Sequence, residues 1–98
     1  MNRSKSYDQE LSEKLKNPHF AQAFLLTLME GEDGLSVEEA LKHAIERMGI
    51  KEFSEASGIP SPNIVDFLKD RRRPKPETLD LYLHPFHLRI KIELEKVA

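Results

Sequence analysis

Glycine and proline divide this sequence into short segments, and that division constrains the fold more than any other feature. The 98 residues include four glycines and six prolines, most of which flank a segment with helical periodicity rather than interrupt one. Glycine readily takes the left-handed conformation that ends a helix, and proline fits the first helical turn but breaks a helix interior. The pattern therefore predicts a bundle of short helices around one small core.

Apolar positions recur at helical spacing in the segments between these breaks. Asn17 followed by Pro18 is typical of a helix start, and Ser36 with Glu39 has the pattern of a capping box. The predicted helices, in chain order, cover residues 8–15, 18–29, 37–48, 50–57, 61–69 and 78–83.

The final segment has a different period. Leu88, Ile90, Ile92 and Leu94 alternate with charged residues, which predicts a strand with one apolar face. A single strand leaves its backbone N–H and C=O groups unpaired, so we expect it to pair with the same strand of a second chain in a homodimer. The alternative is an unpaired tail.

Residues 50–69 have the spacing of a helix–turn–helix, in which a short helix, a tight turn and a second helix follow each other. Ala56 is expected on the inner side of the first helix, where a small side chain lets the two helices approach closely. Gly58 is expected to take the left-handed conformation in the turn. Ile59, Ile64 and Leu68 are expected to hold the second helix against the first, which leaves its other face free for the major groove of DNA.

The formal net charge of −2 conceals an uneven distribution. Residues 1–49 contain six Lys or Arg and nine Asp or Glu, whereas residues 50–98 contain nine and eight. Within the second half, residues 69–75 contain five cations and one anion. A basic run is usually a solvated surface, but this run directly follows the predicted second helix, where cations can contact DNA phosphates.

Three spaced segments carry a resemblance to a known family: KEFSEASGIP at 51–60, NIVDFL at 63–68 and PETLDLYL at 76–83. Together they resemble the phage-repressor-like (lambda-repressor-like, Xre/Cro-type) helix–turn–helix proteins over about residues 36–86. With NPHFAQAFL at 17–25 and LRIKI at 88–92, the whole chain is similar to the HigA-like antidote proteins of bacterial addiction modules.

This resemblance implies an all-α, lambda-repressor-like helix–turn–helix bundle with extra N-terminal helices and a C-terminal β-strand that pairs in a dimer. It implies an N-terminal helical extension (1–35), a DNA-binding domain (36–86) and a dimerisation strand (87–98) within one compact domain. It further implies a cytoplasmic, homodimeric transcriptional regulator of the Xre family that binds double-stranded operator DNA. Such a protein is the antitoxin of a type II toxin–antitoxin module, which represses its own operon and neutralises a small RelE/ParE-like or HigB-like toxin.

Carried over by position, the DNA base contacts fall on Ser61, Asn63 and Asp66 of the second helix. Asn63 is the best candidate to read a base, because an amide can pair with adenine through two hydrogen bonds. Phosphate contacts, which supply affinity and register, are expected from the cations around that helix. These cations are Lys51, Lys69, Arg71, Arg72, Arg73 and Lys75.

Three residues depart from the pattern of the family. Pro60 replaces the usual capping Ser or Thr, Pro62 donates no backbone N–H early in the second helix, and Asp66 brings a negative charge toward DNA. Two of these departures, Pro62 and Asp66, support an alternative function, in which the chain is a protein-interaction module that keeps the fold but has lost DNA binding.

Neither an enzyme nor a metal or cofactor site is expected. The sequence has no cysteine, which is consistent with a reducing cytoplasm, and no apolar run approaches the length that spans a bilayer. His84 and His87 are close in sequence, but Pro85 separates them and no carboxylate or thiolate set accompanies them. They are therefore expected to have structural or surface roles.

An aromatic stripe in the second predicted helix has two interpretations. Phe20, Phe24 and Leu28 share one face of that helix. Such a stripe usually joins the core, but it could also form a groove for a toxin. The acidic N-terminal half favours the second interpretation, because toxins that act on ribosomes tend to be basic.

Overall fold

The structure is a computed structural model that describes residues 3–71 and 73–98, with side chains from residue 9 onward. Six α-helices are followed by a short 3-10 helix, and the described residues contain no strand, so the predicted all-α class is confirmed. None of the described helices has the length and apolar character needed to cross a membrane. The helices are α1 (Arg3–Leu15), α2 (Pro18–Met29), α3 (Val37–Met48), α4 (Ile50–Ser57), α5 (Ser61–Leu68), α6 (Pro76–Leu83) and the 3-10 helix (His84–Phe86).

Side-chain caps begin α2 and α3 at the predicted positions. The Asn17 carboxamide oxygen accepts hydrogen bonds from the backbone N–H groups of His19 and Phe20, at 2.9 and 3.4 Å. The Ser36 hydroxyl accepts from the backbone N–H of Glu39 at 3.2 Å and lies 3.1 Å from its carboxylate. Each cap satisfies N–H groups that have no partner within the helix.

Two helix starts differ from the prediction. α1 begins at Arg3 rather than near residue 8, because residues 3–8 contain no glycine or proline to end the helix. α6 begins at Pro76 rather than at residue 78, because proline at the first helical position needs no N–H partner. The other predicted α-helices agree with the structure to within one residue.

The predicted inward position of Ala56 is wrong, since this residue is exposed. Ser54 and Ser57 instead close the connection to α5. The Ser54 hydroxyl donates to the backbone oxygen of Ile59 at 2.6 Å, and the Ser57 hydroxyl accepts from the Ile59 N–H at 3.1 Å. Gly58 adopts the predicted left-handed conformation, with φ at 76°, so the turn between α4 and α5 is held from both sides.

One buried core draws side chains from every helix. At its centre the Phe53 ring of α4 lies 5.9 Å from the Tyr82 ring of α6 and 5.8 Å from the Phe86 ring. The N-terminal helices belong to the same core, because Leu15 is fully buried in it. The Ser12 hydroxyl also donates to the backbone oxygen of Met48, at 2.6 Å. The core therefore joins α1 to the helices that form the candidate site.

The C-terminal segment leaves the core without forming a strand in the single chain. Leu88 and Ile90 pack against the core, whereas Ile92 and Leu94 are 78% and 100% exposed. The Ile90 N–H donates to the Asp80 carboxylate at 2.7 Å, which fixes the start of the segment. A strand requires a partner for its backbone groups, and a single chain supplies none here, so the predicted pairing in a homodimer stays a prediction.

Candidate nucleic-acid interface

The outer face of α5 is the surface on which the predicted base contacts lie. Ile64 and Phe67 point into the core, while Ser61, Pro62 and Asn63 at the N-terminal end of the helix are exposed. The first turn of α5 therefore presents a hydroxyl, a pyrrolidine ring and a carboxamide to the outside. A carboxamide offers both a donor and acceptors for hydrogen bonds.

Tyr82 of α6 holds this exposed turn in place. Its hydroxyl donates to the backbone oxygen of Asn63 at 3.2 Å, and its ring lies 4.7 Å from the ring of Phe67. Burial raises the pKa of the Tyr82 phenol above its ordinary value of 10.0, and the nearby Asp66 carboxylate adds to this effect. The phenol therefore remains a protonated donor at neutral pH and fixes the backbone beneath the Asn63 side chain.

Replacing Tyr82 with phenylalanine is expected to lower the free energy of unfolding by about 0.5–1.5 kcal/mol, the contribution of one hydrogen bond. Because the folded-state pKa is raised, ionisation above pH 10.0 opposes folding of the wild type but not of the variant. The stability difference between the two proteins should therefore shrink as pH rises above this value. Urea unfolding at neutral and alkaline pH measures it, and a difference independent of pH would contradict the assignment.

The chain leaves α5 through a left-handed cap at Asp70. The φ angle of Asp70 is 56°, a conformation that aspartate tolerates better than most residues. The Asp70 N–H donates to the backbone oxygen of Phe67 at 3.3 Å, and the Arg71 N–H donates to that of Asp66 at 3.0 Å. This is the Schellman pattern of a helix end, and it turns the basic segment back beside α5.

Two ion pairs fix the side chains around this cap. The Arg71 guanidinium lies 3.1 Å from the Asp66 carboxylate, so two residues that the sequence assigned to different contacts are brought together. Lys42 of α3 pairs with Asp70, and its ammonium group lies 5.7 Å from the centre of the Phe67 ring. The basic segment is thereby anchored to α3, and a cation offsets the negative charge of Asp66.

A groove of about 650 Å³ runs between the turn before α5, α5 itself and the start of α6. Asn63 and Asp66 line it from α5, and Arg73 and Lys75 line it from the segment before α6. Leu81 adds an apolar side chain that is 64% exposed. The groove therefore gathers two of the predicted base contacts and two of the predicted phosphate contacts.

Three other predicted phosphate contacts, Lys51, Lys69 and Arg71, lie outside this groove. Lys51 is exposed in the first turn of α4, and Lys69 is exposed at the end of α5. Arg72 lies outside the described residues. Within the described part of the chain, Arg73 and Lys75 form no ion pair, so both cations can accept an external anion.

Sequence reasoning missed three residues that position the interface. Asp70 could have been identified as a cap, because a short polar residue that tolerates positive φ directly follows the apolar periodicity of α5. Lys42 and Tyr82 gave no local signal, because each acts on a residue at least 19 positions away in the chain.

The described residues contain no group of three or more His, Cys, Asp or Glu side chains that could hold a metal ion. His84 and His87 are both exposed, and they flank the 3-10 turn at Pro85. His87 takes a left-handed conformation with φ at 58°, and its N–H donates to the backbone oxygen of His84 at 2.9 Å. These contacts give the pair a role in ending the helical part of the chain.

Comparison of the chain with protein families, curated proteins and solved structures found no match. Function is therefore inferred from the exposed face of α5, from the cations beside it and from the resemblance of the motifs.

Proposed function

We propose that the chain is a sequence-specific DNA-binding transcriptional regulator in which α4, residues 58–60 and α5 form a helix–turn–helix. The observation that carries this proposal is the polar turn of Ser61 and Asn63, exposed at the start of α5, with the exposed cations Arg73 and Lys75 lining the same groove. A helix that buries one face and presents polar side chains on the other can enter the major groove of DNA.

In this function α5 lies in the major groove with its N-terminal turn toward the bases. The Asn63 carboxamide pairs with an adenine edge, and the Ser61 hydroxyl donates to or accepts from a neighbouring base. Arg73, Lys75 and Lys51 contact phosphates on either side of the helix and set its register. Pairing of two C-terminal segments, as the sequence predicts, would present this surface twice to two half-sites.

The Asp66–Arg71 ion pair bears on the main objection to DNA binding. An isolated carboxylate on this face would repel phosphates, but Asp66 is only 34% exposed and Arg71 neutralises it. Asp66 can still accept a hydrogen bond from a cytosine amino group. Pro62 costs the helix little, because the first-turn N–H groups have no partner within the helix.

We further propose that the chain is the antitoxin of a type II toxin–antitoxin module that represses its own operon and neutralises a small basic toxin. Support comes from the resemblance to HigA-like antidote proteins and from the excess of acidic residues in the N-terminal half. Two apolar residues of α2, Phe20 and Leu26, are 37% and 55% exposed. Phe24 and Leu28, in contrast, pack against the core, so Phe20 and Leu26 are the large apolar side chains that α2 exposes to a toxin.

Replacing Phe20 and Leu26 with alanine is expected to weaken toxin binding on the order of tenfold, because a few side chains that become buried at the centre of an interface contribute most of its binding energy. Affinity for DNA should not change. The measurement is titration of the purified toxin encoded beside this chain, with Leu81→Ala on α6 as the control. Equal toxin affinity of the double variant and the wild type would contradict the assignment. Deleting residues 1–17 is a poorer test, because it removes Leu15 from the core.

The alternative function is a protein-interaction module that keeps the fold without binding DNA, which Pro62 and Asp66 favour. Gel-shift titration with the DNA upstream of the chain's own gene separates the two functions. Specific binding that disappears in an Arg71/Arg72/Arg73→Ala variant, and whose sequence preference falls roughly tenfold to a hundredfold in Asn63→Ala, supports the regulator. Absence of binding at low salt supports the interaction module.

A further inference from the structure

The charged residues of the C-terminal segment change sign at Ile92. Two cations, Arg89 and Lys91, precede this residue at alternate positions, and two anions, Glu93 and Glu95, follow it. When two copies lie antiparallel with Ile92 opposite Ile92, each Arg89 faces the partner's Glu95 and each Lys91 faces the partner's Glu93. All four charged positions then meet an opposite charge, which stabilises an antiparallel pair.

Neighbouring registers lose this complementarity. When the two-fold axis lies at Lys91, the two copies of Lys91 face each other. When it lies at Glu93, the two copies of Glu93 face each other. Centring it on Ile90 places Arg89 opposite the partner's Lys91. Like charges directly opposite each other destabilise a pair of strands. Registers in which one strand is shifted by an odd number of residues are excluded as well, because they place the apolar side chains of the two strands on opposite faces.

The apolar face of the segment is half covered in the single chain. Leu88 and Ile90 pack on the core, and Ile90 lines an apolar groove of about 260 Å³ beside Leu25 and Met29 of α2. Leu94, in contrast, is fully exposed. In the register centred on Ile92, the partner's Leu94 lies opposite Ile90 on the same face, which brings this side chain toward the groove.

The backbone of the C-terminal segment can bind a partner strand along one of its two edges. In an extended segment, the N–H and C=O groups of alternate residues point to opposite edges. The Ile90 N–H points toward the body of the protein, where it donates to the Asp80 carboxylate at 2.7 Å. When residues 89–95 take strand geometry, the backbone groups of Arg89, Lys91 and Glu93 point to the other edge, where an antiparallel strand can bind them.

We propose that two copies of this chain associate through an antiparallel ribbon of residues 89–95 with Ile92 on the two-fold axis, so that the partner's Leu94 covers the groove beside Ile90. This interface rests on the pairing of two C-terminal segments stated under the proposed function, but it does not depend on DNA binding. Its occupant is a second copy because the charge pattern is complementary to itself, and a symmetric dimer requires a surface of that kind.

Disulfide crosslinking tests the register in a chain that has no cysteine of its own. Directly opposite residues lie about 4.5–5.5 Å apart between Cα atoms, within the range that a disulfide bridges. The Ile92→Cys variant should form a covalent dimer on mild oxidation, and so should a mixture of Ile90→Cys and Leu94→Cys. Ile90→Cys alone should not, because its two cysteines would be roughly 13 Å apart along the ribbon. Crosslinking of Ile90→Cys alone, or equal crosslinking at exposed Val97→Cys and at position 92, overturns the register.

Charge reversal tests the interface without covalent bonds or DNA. The wild type should have twice the mass of the 11.3 kDa chain in light scattering. Arg89→Glu/Lys91→Glu and Glu93→Lys/Glu95→Lys should each raise the dimer dissociation constant on the order of tenfold to a hundredfold, because four opposite pairs become like pairs. Mixing the two variants should restore the dimer. A monomeric wild type, or a dimer that neither variant weakens, overturns the inference whatever the result with DNA.

Discussion

Replacing Arg73 and Lys75 with alanine is expected to weaken DNA binding to all sequences alike and to make it less sensitive to salt. Both side chains are exposed beside the groove that Asn63 lines. Each lost phosphate contact reduces the slope of log affinity against log salt by about one, because fewer counterions are released on binding. The expected change in slope is therefore about two.

Fluorescence anisotropy with a labelled duplex at several salt concentrations measures this slope. The matched control is Lys14→Ala/Lys16→Ala in α1, which removes the same charge and whose lysines pair with Glu10 and Glu13. An unchanged slope in the Arg73/Lys75 variant, or an equal change in the control, would contradict the placement of the phosphate contacts.

Replacing Phe53 with alanine is expected to lower the free energy of unfolding by about 3–5 kcal/mol. The Phe53 side chain is fully buried and lies between the rings of Tyr82 and Phe86, so its removal leaves a cavity where α4, α6 and the 3-10 helix meet. A small domain has only about 5–15 kcal/mol of stability in total. The variant should therefore be partly unfolded or should melt far below the wild type.

Urea unfolding followed by circular dichroism checks this value, and Phe20→Ala provides the control. Phe20 is 37% exposed on α2, so its loss should cost about 1 kcal/mol or less. Equal destabilisation by the two substitutions would show that Phe53 is not the centre of the core. Because the Phe53 contacts join α4 to α6, the loss of Phe53 should also weaken DNA binding.

Local signals explain why the helices could be predicted from the sequence. Asn17 and Ser36 cap their helices through hydrogen bonds within three residues, and Gly58 acts through its own backbone angle. The neighbouring residues in the sequence are therefore enough to predict where these helices begin or end. Ala56 shows where this reasoning fails. Periodicity identified α4, but the choice between Ala56 and Ser54 for the inner side depended on the path of the connection at Ile59.

The interface was predictable in its exposed residues but not in its internal contacts. The apolar spacing of Ile64 and Phe67 determines which side of α5 is buried, and Asn63 follows as an exposed residue. The pairing of Lys42 with Asp70 joins residues that are 28 positions apart, and only the packing of α3 against the rest of the bundle brings them together.

The C-terminal segment shows what the sequence predicts about a single chain and what depends on a second one. Its alternation predicts a strand, and Leu88 and Ile90 do pack inward while Arg89 and Lys91 are exposed. A strand forms, however, only when a second segment pairs with its backbone. The predicted partner is the same segment of a second chain, so the structure of a single chain does not test the pairing.

The central claim is that this chain recognises DNA by sequence, and a competition measurement tests it most directly. Affinity is compared for the duplex upstream of the chain's own gene and for a shuffled duplex of the same composition and length, at one salt concentration. The proposed function predicts at least about a thousandfold preference for the upstream duplex, as is usual for specific regulators. In Asn63→Ala this preference should fall by roughly tenfold to a hundredfold, because one such base contact contributes about 1–3 kcal/mol. Equal affinity for the two duplexes, or no binding to either at low salt, would contradict it.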